Sequence, residues 1–356
     1  MSVFKGEKLK IEITGGSHNE EIKLVAEGFP TVKYDESSLK SFLKRRMPTA
    51  ELYSTQRREE DEPIFVKGLD NGLIGGLIEV IIKNNDVKKS DYNALYAKPR
   101  PSHSDLAAFY KDGTLDFSGG GRFSGRMTAP LCVAGYLAKT ALKSYGIEIG
   151  SYISSVGNVF GKSYKTDEIT YSEIENNEGF PSLSNGQNML DKIAIARAEK
   201  DSIGATAECI IFNLPKGVGD NLFGGIENKI SNLIFAIPGV KGIEFGRGFE
   251  ISELFGSEAN DEIYIKSGEI LTKTNNSGGI NGGISNGMNV NFRVAFRPTP
   301  SIGKTQNTVD LEKTENTTIE ICGRHDACFA VRALPAVESA AAIAILDIML
   351  YENRLK

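Results

Sequence analysis

The sequence predicts a mixed α and β fold in which sheets carry helices packed against them. Stretches with alternating apolar residues, such as Leu9, Ile11 and Ile13, recur at 9–14, 147–156 and 288–296. Runs with helical spacing lie at 129–142, 189–201, 223–235 and 335–351. The order strand, helix, strand therefore occurs twice along the chain, which is the pattern of sheets covered by helices.

Taken in order, residues 9–14 read as a strand that ends in Gly15-Gly16-Ser17-His18-Asn19, and 22–28 as the returning strand. Residues 37–46 read as a helix with serine caps, stopped at Met47-Pro48 because proline disfavours helix in the residue before it. Lys44, Arg45 and Arg46 fall at its C-terminal end, where cations suit the helix dipole. Residues 73–83 are apolar and rich in β-formers, a buried strand. The helix at 129–142 carries Pro130 in its first turn, where a missing N–H does no harm. Residues 164–188, polar and acidic, are expected to form a mobile insertion. After the helix at 189–201 come a strand at 205–213, a helix at 223–235 ended by Pro238-Gly239, a short strand at 318–321 and the last helix, 335–351.

Composition narrows the function. With a net charge of −5, nothing favours bulk nucleic-acid affinity. The four cysteines have neither a paired framework nor zinc spacing, so they read as thiols in a reducing compartment. Residues 5–10 are charged and lack an apolar signal core. The apolar stretch 336–350 contains Glu338 and Asp347, which argues against a membrane span. A cytoplasmic protein with neither a nucleic-acid nor a membrane partner is expected.

The chemistry concentrates in residues 99–128. Pro99-Arg100-Pro101-Ser102-His103-Ser104-Asp105 is followed by Gly119-Gly120-Gly121-Arg122-Phe123-Ser124-Gly125-Arg126-Met127. Adjacent glycines let backbone approach a ligand closely. Arginines and a hydroxyl at the start of a helix suit phosphate. His103 adds an imidazole, a group suited to proton exchange. The alternative is that Gly119–Gly121 form a tight turn and that His103 caps the turn made by Pro99 and Pro101. The glycine run lacks the strand–glycine–helix context of a dinucleotide fingerprint and a Walker pattern, so a Rossmann module and a P-loop phosphotransferase are both disfavoured. Upstream, residues 40–58 hold six basic residues against one acidic, a local excess that focuses small anions. Glu59, Glu60, Asp61 and Glu62 follow and are candidate partners for them.

These passages resemble the chorismate synthase family. Its usual form at the centre is Arg-Pro-Gly-His-Ala-Asp, then Gly-Gly-Gly-Arg-Ser-Ser-Ala-Arg-Glu. Similar blocks are Gly15 to Asn19, Arg45 to Asp61, the glycine- and asparagine-rich run from Thr274 to Gly287, Arg297-Pro298-Thr299-Pro300-Ser301, and Gly323-Arg324-His325-Asp326. The resemblance runs from about residue 9 to 350. It implies an α+β fold of the β-α-β sandwich type, one interleaved domain over 1–356, and a homotetramer. It implies a lyase of the shikimate pathway that serves aromatic amino acid biosynthesis. Such an enzyme converts 5-enolpyruvylshikimate 3-phosphate to chorismate by 1,4-anti-elimination of phosphate, using reduced FMN from an external flavin reductant.

By the same resemblance, His18, His103 and Asp326 are the catalytic residues. Ser17, Arg45, Arg46, Arg100, Arg126 and Arg324 hold the substrate. Arg122, Phe123, Ser124, Gly282, Arg297, Pro298, Thr299, Pro300, Ser301 and Arg324 hold the flavin. No metal is expected. The chain departs from the family at Gly16 (glutamate), Asn19 (glycine), Ser102 (glycine), Phe123 (serine), Met127 (glutamate) and Arg297 (lysine). The changes at Gly16, Asn19 and Met127 keep a second reading in view, a divergent, non-catalytic flavin- or anion-binding homologue on the same fold.

Overall fold

Two five-stranded antiparallel sheets face each other across a layer of helices. The computed structural model describes residues 1–17, 19–47, 61–84, 95–115, 117, 120–321 and 326–355. The first sheet comprises β1 (Ser2–Lys5), β2 (Lys10–Gly15), β3 (Glu21–Lys33), β4 (Pro63–Asp70) and β5 (Leu73–Lys83), in the order β1-β2-β3-β5-β4. Helix α1 (Glu36–Lys44) leaves β3, and α2 (Asp105–Asp112) and α3 (Thr128–Lys143) follow the sheet.

The second sheet, in the order β7-β6-β8-β14-β9, is laid down more slowly. Strands β6 (Glu148–Val156) and β7 (Val159–Phe160) precede α4 (Tyr171–Glu175) and α5 (Gly186–Ala198). Next come β8 (Ala205–Phe212), α6 (Ile226–Ile234), β9 (Val240–Phe245) and α7 (Gly256–Ala259). Two hairpins follow, β10 (Ile263–Lys266) with β11 (Glu269–Thr272) and β12 (Ile280–Asn281) with β13 (Ile284–Ser285). Strand β14 (Val290–Phe296) inserts between β8 and the edge strand β9, and a third hairpin, β15 (Gln306–Asp310) with β16 (Glu315–Ile319), leads to α8 (Ala330–Tyr351).

The alternation read from the sequence decides which face is buried. In the first sheet Leu24 sits in register with Ile13 on one side and Val80 on the other. Leu24 and Val80, with Ile22, Ile78 and Ile82, are fully covered. Helix α3 packs on this sheet and α8 on the second, and the two helices pack on each other. Gly135 makes that crossing possible, since a Cβ there would lie 2.0 Å from the Cβ of Ser339. Together the layers form an α+β fold, a β-α-β sandwich.

Helix α8 is long and apolar enough to cross a membrane by length and composition, yet 94% of its most apolar window is buried inside the protein. Its two carboxylates are satisfied internally. Asp347 accepts the N–H groups of Glu7, Lys8 and Leu9, each at 2.8 Å, and so ties the start of the chain to its last helix. Glu338 is held by Arg45 and Lys139.

Several elements differ from the sequence expectation. Helix α1 is capped by Asp35, whose carboxylate takes the N–H of Ser38 and both neighbouring serine hydroxyls, so the serines serve the cap without being it. Strand β3 runs on past residue 28 by absorbing two register shifts against β5. Helix α8 starts before Pro335, which falls in the second turn and costs only one intrahelical bond. The polar stretch 164–188 is docked rather than loose. Tyr164, Ile169, Tyr171, Ile174 and Leu183 pack on Tyr152, Ile210 and Phe212 of the second sheet.

Candidate active site

Two side-chain groups contain most of the described residues singled out in the sequence. The first is built where the turn after β2 meets the tight 3-10 turns that open α3. The N–H of Ser17 donates to the carbonyl of Gly121 at 3.1 Å, so the two glycine turns lie against each other. Asn84, just beyond β5, clamps them. Its amide donates to the carbonyls of Gly16 (3.1 Å) and Asn19 (2.7 Å), and its oxygen accepts from Nε of Arg126 at 2.6 Å. Arg126 also donates to the carbonyl of Lys83 at 2.9 Å. Ser124 turns its hydroxyl inward to accept the backbone N–H of Arg126 at 3.2 Å.

Asp61, only 1% exposed, pairs through one carboxylate oxygen with Arg126 and through the other with Arg46. Arg46 sits at the end of α1 and also donates to Thr128 at 3.2 Å. Arg332, in the first turn of α8, completes the group. Its Nε donates to the carbonyl of Arg46 at 2.9 Å, and its Nη1 contacts both oxygens of Asp326, at 2.9 and 2.8 Å. Burial, with the nearby charges of Arg332 and Arg126 and against the pull of Cys132 and Asp326, pushes the Arg46 guanidinium down to about 9. Among the described residues the group brings together three guanidiniums and two carboxylates, with Arg46, Arg126 and Asp61 buried, and such a place suits an anion.

The second group lies at the start of α2. The Arg100 guanidinium grips Asp105 at two points, with Nε 2.7 Å from Oδ2 and Nη2 2.8 Å from Oδ1, and His103 Nδ1 is 2.5 Å from the same Oδ1. Arg100 reaches the Ser301 hydroxyl at 3.4 Å. Arg297 donates to the carbonyl of Ser102, which brings the Arg297-to-Ser301 segment onto the His103 turn. Burial works against the Asp105 carboxylate, but Arg100 and His103 hold it at about 2. Aromatic packing links the groups, because the Phe329 ring presses on Gly125 of the first and stacks edge-on against Phe296, next to Arg297 of the second.

Other residues fall elsewhere. Arg122 pairs with Asp112 at the surface and lies 4.8 Å over the ring of Phe123. Gly282 is at the tip of the β12–β13 hairpin, whose neighbouring Gly283 accepts the N–H of Ile226. Arg45 is committed to Glu338 at 2.6 Å. It lines a separate cleft of about 1000 Å³ between α1, α3, β6 and α4, alone among the described site candidates. His18 and Arg324 lie outside the described residues. Asn84, Asp105 and Arg332 were missing from the sequence-derived site, and Asp61 entered only as one of four acids after a basic run. Among the described residues, no cluster of metal-ligating side chains occurs.

Comparison with known proteins decides the family. The chorismate synthase family model matches residues 9–350. A chorismate synthase of Thermococcus gammatolerans is 40% identical over 352 residues, covering 98% of this chain and 97% of the relative. One of Pyrococcus abyssi is 41% identical over 353 residues, covering 98% of each chain. The chain belongs to the chorismate synthase family. A crystal structure of a chorismate synthase has the same fold, with a TM-score of 0.74 at 24% identity, over 98% of this chain and 93% of the other.

Two departures from the chorismate synthase pattern turn out to be neighbours. A Cβ on Gly16 would stand 2.8 Å from Oδ1 of Asn19. The asparagine therefore occupies room that a larger residue at position 16 would need, and the two changes compensate within one turn.

Proposed function

We propose that this chain catalyses the full chorismate synthase reaction, a 1,4-anti-elimination of phosphate from 5-enolpyruvylshikimate 3-phosphate, with reduced FMN and no net redox change. The observation that carries this reading is the convergence of the buried Arg46 and Arg126 and the half-buried Arg332 beside the turn bearing Ser17. A substrate with a phosphate and two carboxylates requires such a place.

The residues present fit a flavin. The Thr299 hydroxyl is buried without a hydrogen-bond partner among the described residues, within the segment assigned to the cofactor. Gly121 has φ +49° and faces open space, so its backbone is approachable. Arg122, Ser124, Arg297, Thr299 and Ser301 would hold the group, with Phe123, Gly282, Pro298, Pro300 and Arg324 around it. When bound, reduced FMN supplies electron density to the allylic system.

The protein's own residues then have separate tasks. Arg46, Arg126 and Arg324, with Arg100 and Ser17, hold and orient the substrate anions. Asp326, fixed by Arg332, assists loss of the C6 proton. The C–H electron pair forms the new double bond, the existing one shifts, and the C–O pair leaves with phosphate. His18, next to Ser17, donates the proton the phosphate takes up. His103 sits at the cofactor side. We further propose a cytoplasmic, single-domain subunit that draws on an outside flavin reductant and assembles as a homotetramer. Exposed Phe223, Phe249, Phe255, Ile263 and Ile265 support assembly.

The test is an anaerobic assay with FMN, dithionite and 5-enolpyruvylshikimate 3-phosphate. Many chorismates should form per equivalent of dithionite, because substrate and product differ by elimination and not by oxidation. A ratio fixed near one, or turnover with oxidised FMN in air, would overturn the reading. Flavin and substrate binding without product would favour the non-catalytic homologue.

A further inference from the structure

We propose that Asp105 is the positioning residue of His103, fixing its imidazole as the Nδ1–H tautomer and leaving Nε2 as the nitrogen that exchanges protons. The proposal rests on the reading that His103 works at the reaction site. It starts from saturation of one carboxylate. Oδ2 of Asp105 accepts the backbone N–H of Arg100 at 3.0 Å and its Nε at 2.7 Å. Oδ1 accepts Nη2 of Arg100 at 2.8 Å and faces Nδ1 of His103 at 2.5 Å. A carboxylate only accepts, so a lone pair on Nδ1 would confront a lone pair on Oδ1 at that distance, and Nδ1 must carry the hydrogen.

The rival donors to Nδ1 are Arg100 Nη2 at 3.1 Å and Ser104 Oγ at 3.3 Å. Nη2 has two hydrogens, and Asp105 Oδ1 together with the carbonyl of Phe117 at 3.3 Å already takes them. The Ser104 contact is the longest of the set. Asp105 is itself rigid, buried in the first turn of α2 and held low by Arg100 and His103 despite its burial. Arg100 carries the same unit to Ser301, so one carboxylate orients both the imidazole and a guanidinium.

The chain has three histidines, His18, His103 and His325, so the ¹⁵N imidazole resonances of the histidine-labelled, flavin-free protein can be assigned with a His103→Gln variant. The unsubstituted protein should show His103 with a protonated Nδ1, and an unprotonated Nδ1 overturns the proposal whatever any variant does. In Asp105→Asn the amide oxygen stays with the backbone N–H and Nε of Arg100, and the NH₂ faces Nδ1 of His103 while Nη2 of Arg100 keeps the carbonyl of Phe117. The tautomer should invert, and turnover with reduced FMN should fall about 10- to 100-fold. Inversion with turnover unchanged would sink the role of His103, and the proposal with it. A turnover loss with the tautomer unmoved would sink the role of Asp105 alone.

Discussion

Arg332 holds Asp326 by both carboxylate oxygens, at 2.9 and 2.8 Å, and with its Nε binds the carbonyl of Arg46 at 2.9 Å. One side chain in the first turn of α8 thus sets the distance between a proposed proton acceptor and a proposed substrate cation. Lysine keeps the charge but cannot span the three acceptors. Arg332→Lys should therefore lower kcat by ~10²-fold, the scale of a misplacement near 1 Å, with FMN affinity little changed. Steady-state kinetics with a flavin titration measures both. Wild-type kcat in this variant would show that Asp326 needs no such holder.

Arg46 and Arg126 share Asp61 and lie in the dry interior of the first group. Arg46→Ala and Arg126→Ala should each weaken substrate binding by ~1–3 kcal/mol, the range for a charge-assisted bond, and weaken FMN binding less. Titrating substrate into the reduced enzyme–FMN complex is the measurement. Unchanged substrate affinity in both variants would assign the arginines to packing alone.

Asp61 is the internal counter-ion of those two arginines, which makes it a stand-in for the ligand anion. Asp61→Asn should lose about 3 kcal/mol of stability in phosphate-free buffer, as expected when a buried ion pair keeps only its cations. Added inorganic phosphate should restore more of the melting temperature in the variant than in the wild-type protein. Equal phosphate effects would mean that the anion binds away from Arg46 and Arg126.

The strands and helices were legible because each depends on local periodicity, as with Leu24 between Ile13 and Val80, whereas their stacking as a sandwich came from the family resemblance. It also carried the arginines, whose clustering is visible along the chain. Their partners were hidden, because a counter-charge for a buried guanidinium is chosen in space. Asp105 is five residues from Arg100, whereas Asn84 is 42 residues from Arg126. Adjacent Arg45 and Arg46 look equivalent in the sequence, yet successive positions at a helix end point in different directions. One reaches Glu338 beside the wide cleft and the other reaches Asp61. The stretch 164–188 reads as polar on average, and its docking rests on a few apolar residues that an average conceals.

Glu338 gives a stability prediction with a definite sign. Burial raises its pKa, but Arg45 and Lys139 outweigh that and hold it at about 2. Ser151 adds its N–H at 3.2 Å and its hydroxyl at 2.8 Å. A carboxylate whose folded pKa lies below its unfolded value binds more protons unfolded, so stability rises with pH across that interval. The contribution of Glu338 is thus complete above the unfolded value near pH 4.5 and is lost as pH falls through about 2. A shift of that size is worth about 3 kcal/mol. Asp105, also held at about 2, adds to the same acid limb. Denaturant unfolding of the wild-type chain between pH 6 and pH 2 should show this loss. In Glu338→Gln the slope should be shallower and the stability at pH 6 lower, because Arg45 and Lys139 then face an uncharged amide. An unchanged acid slope in the variant would show that Glu338 is not the group that titrates.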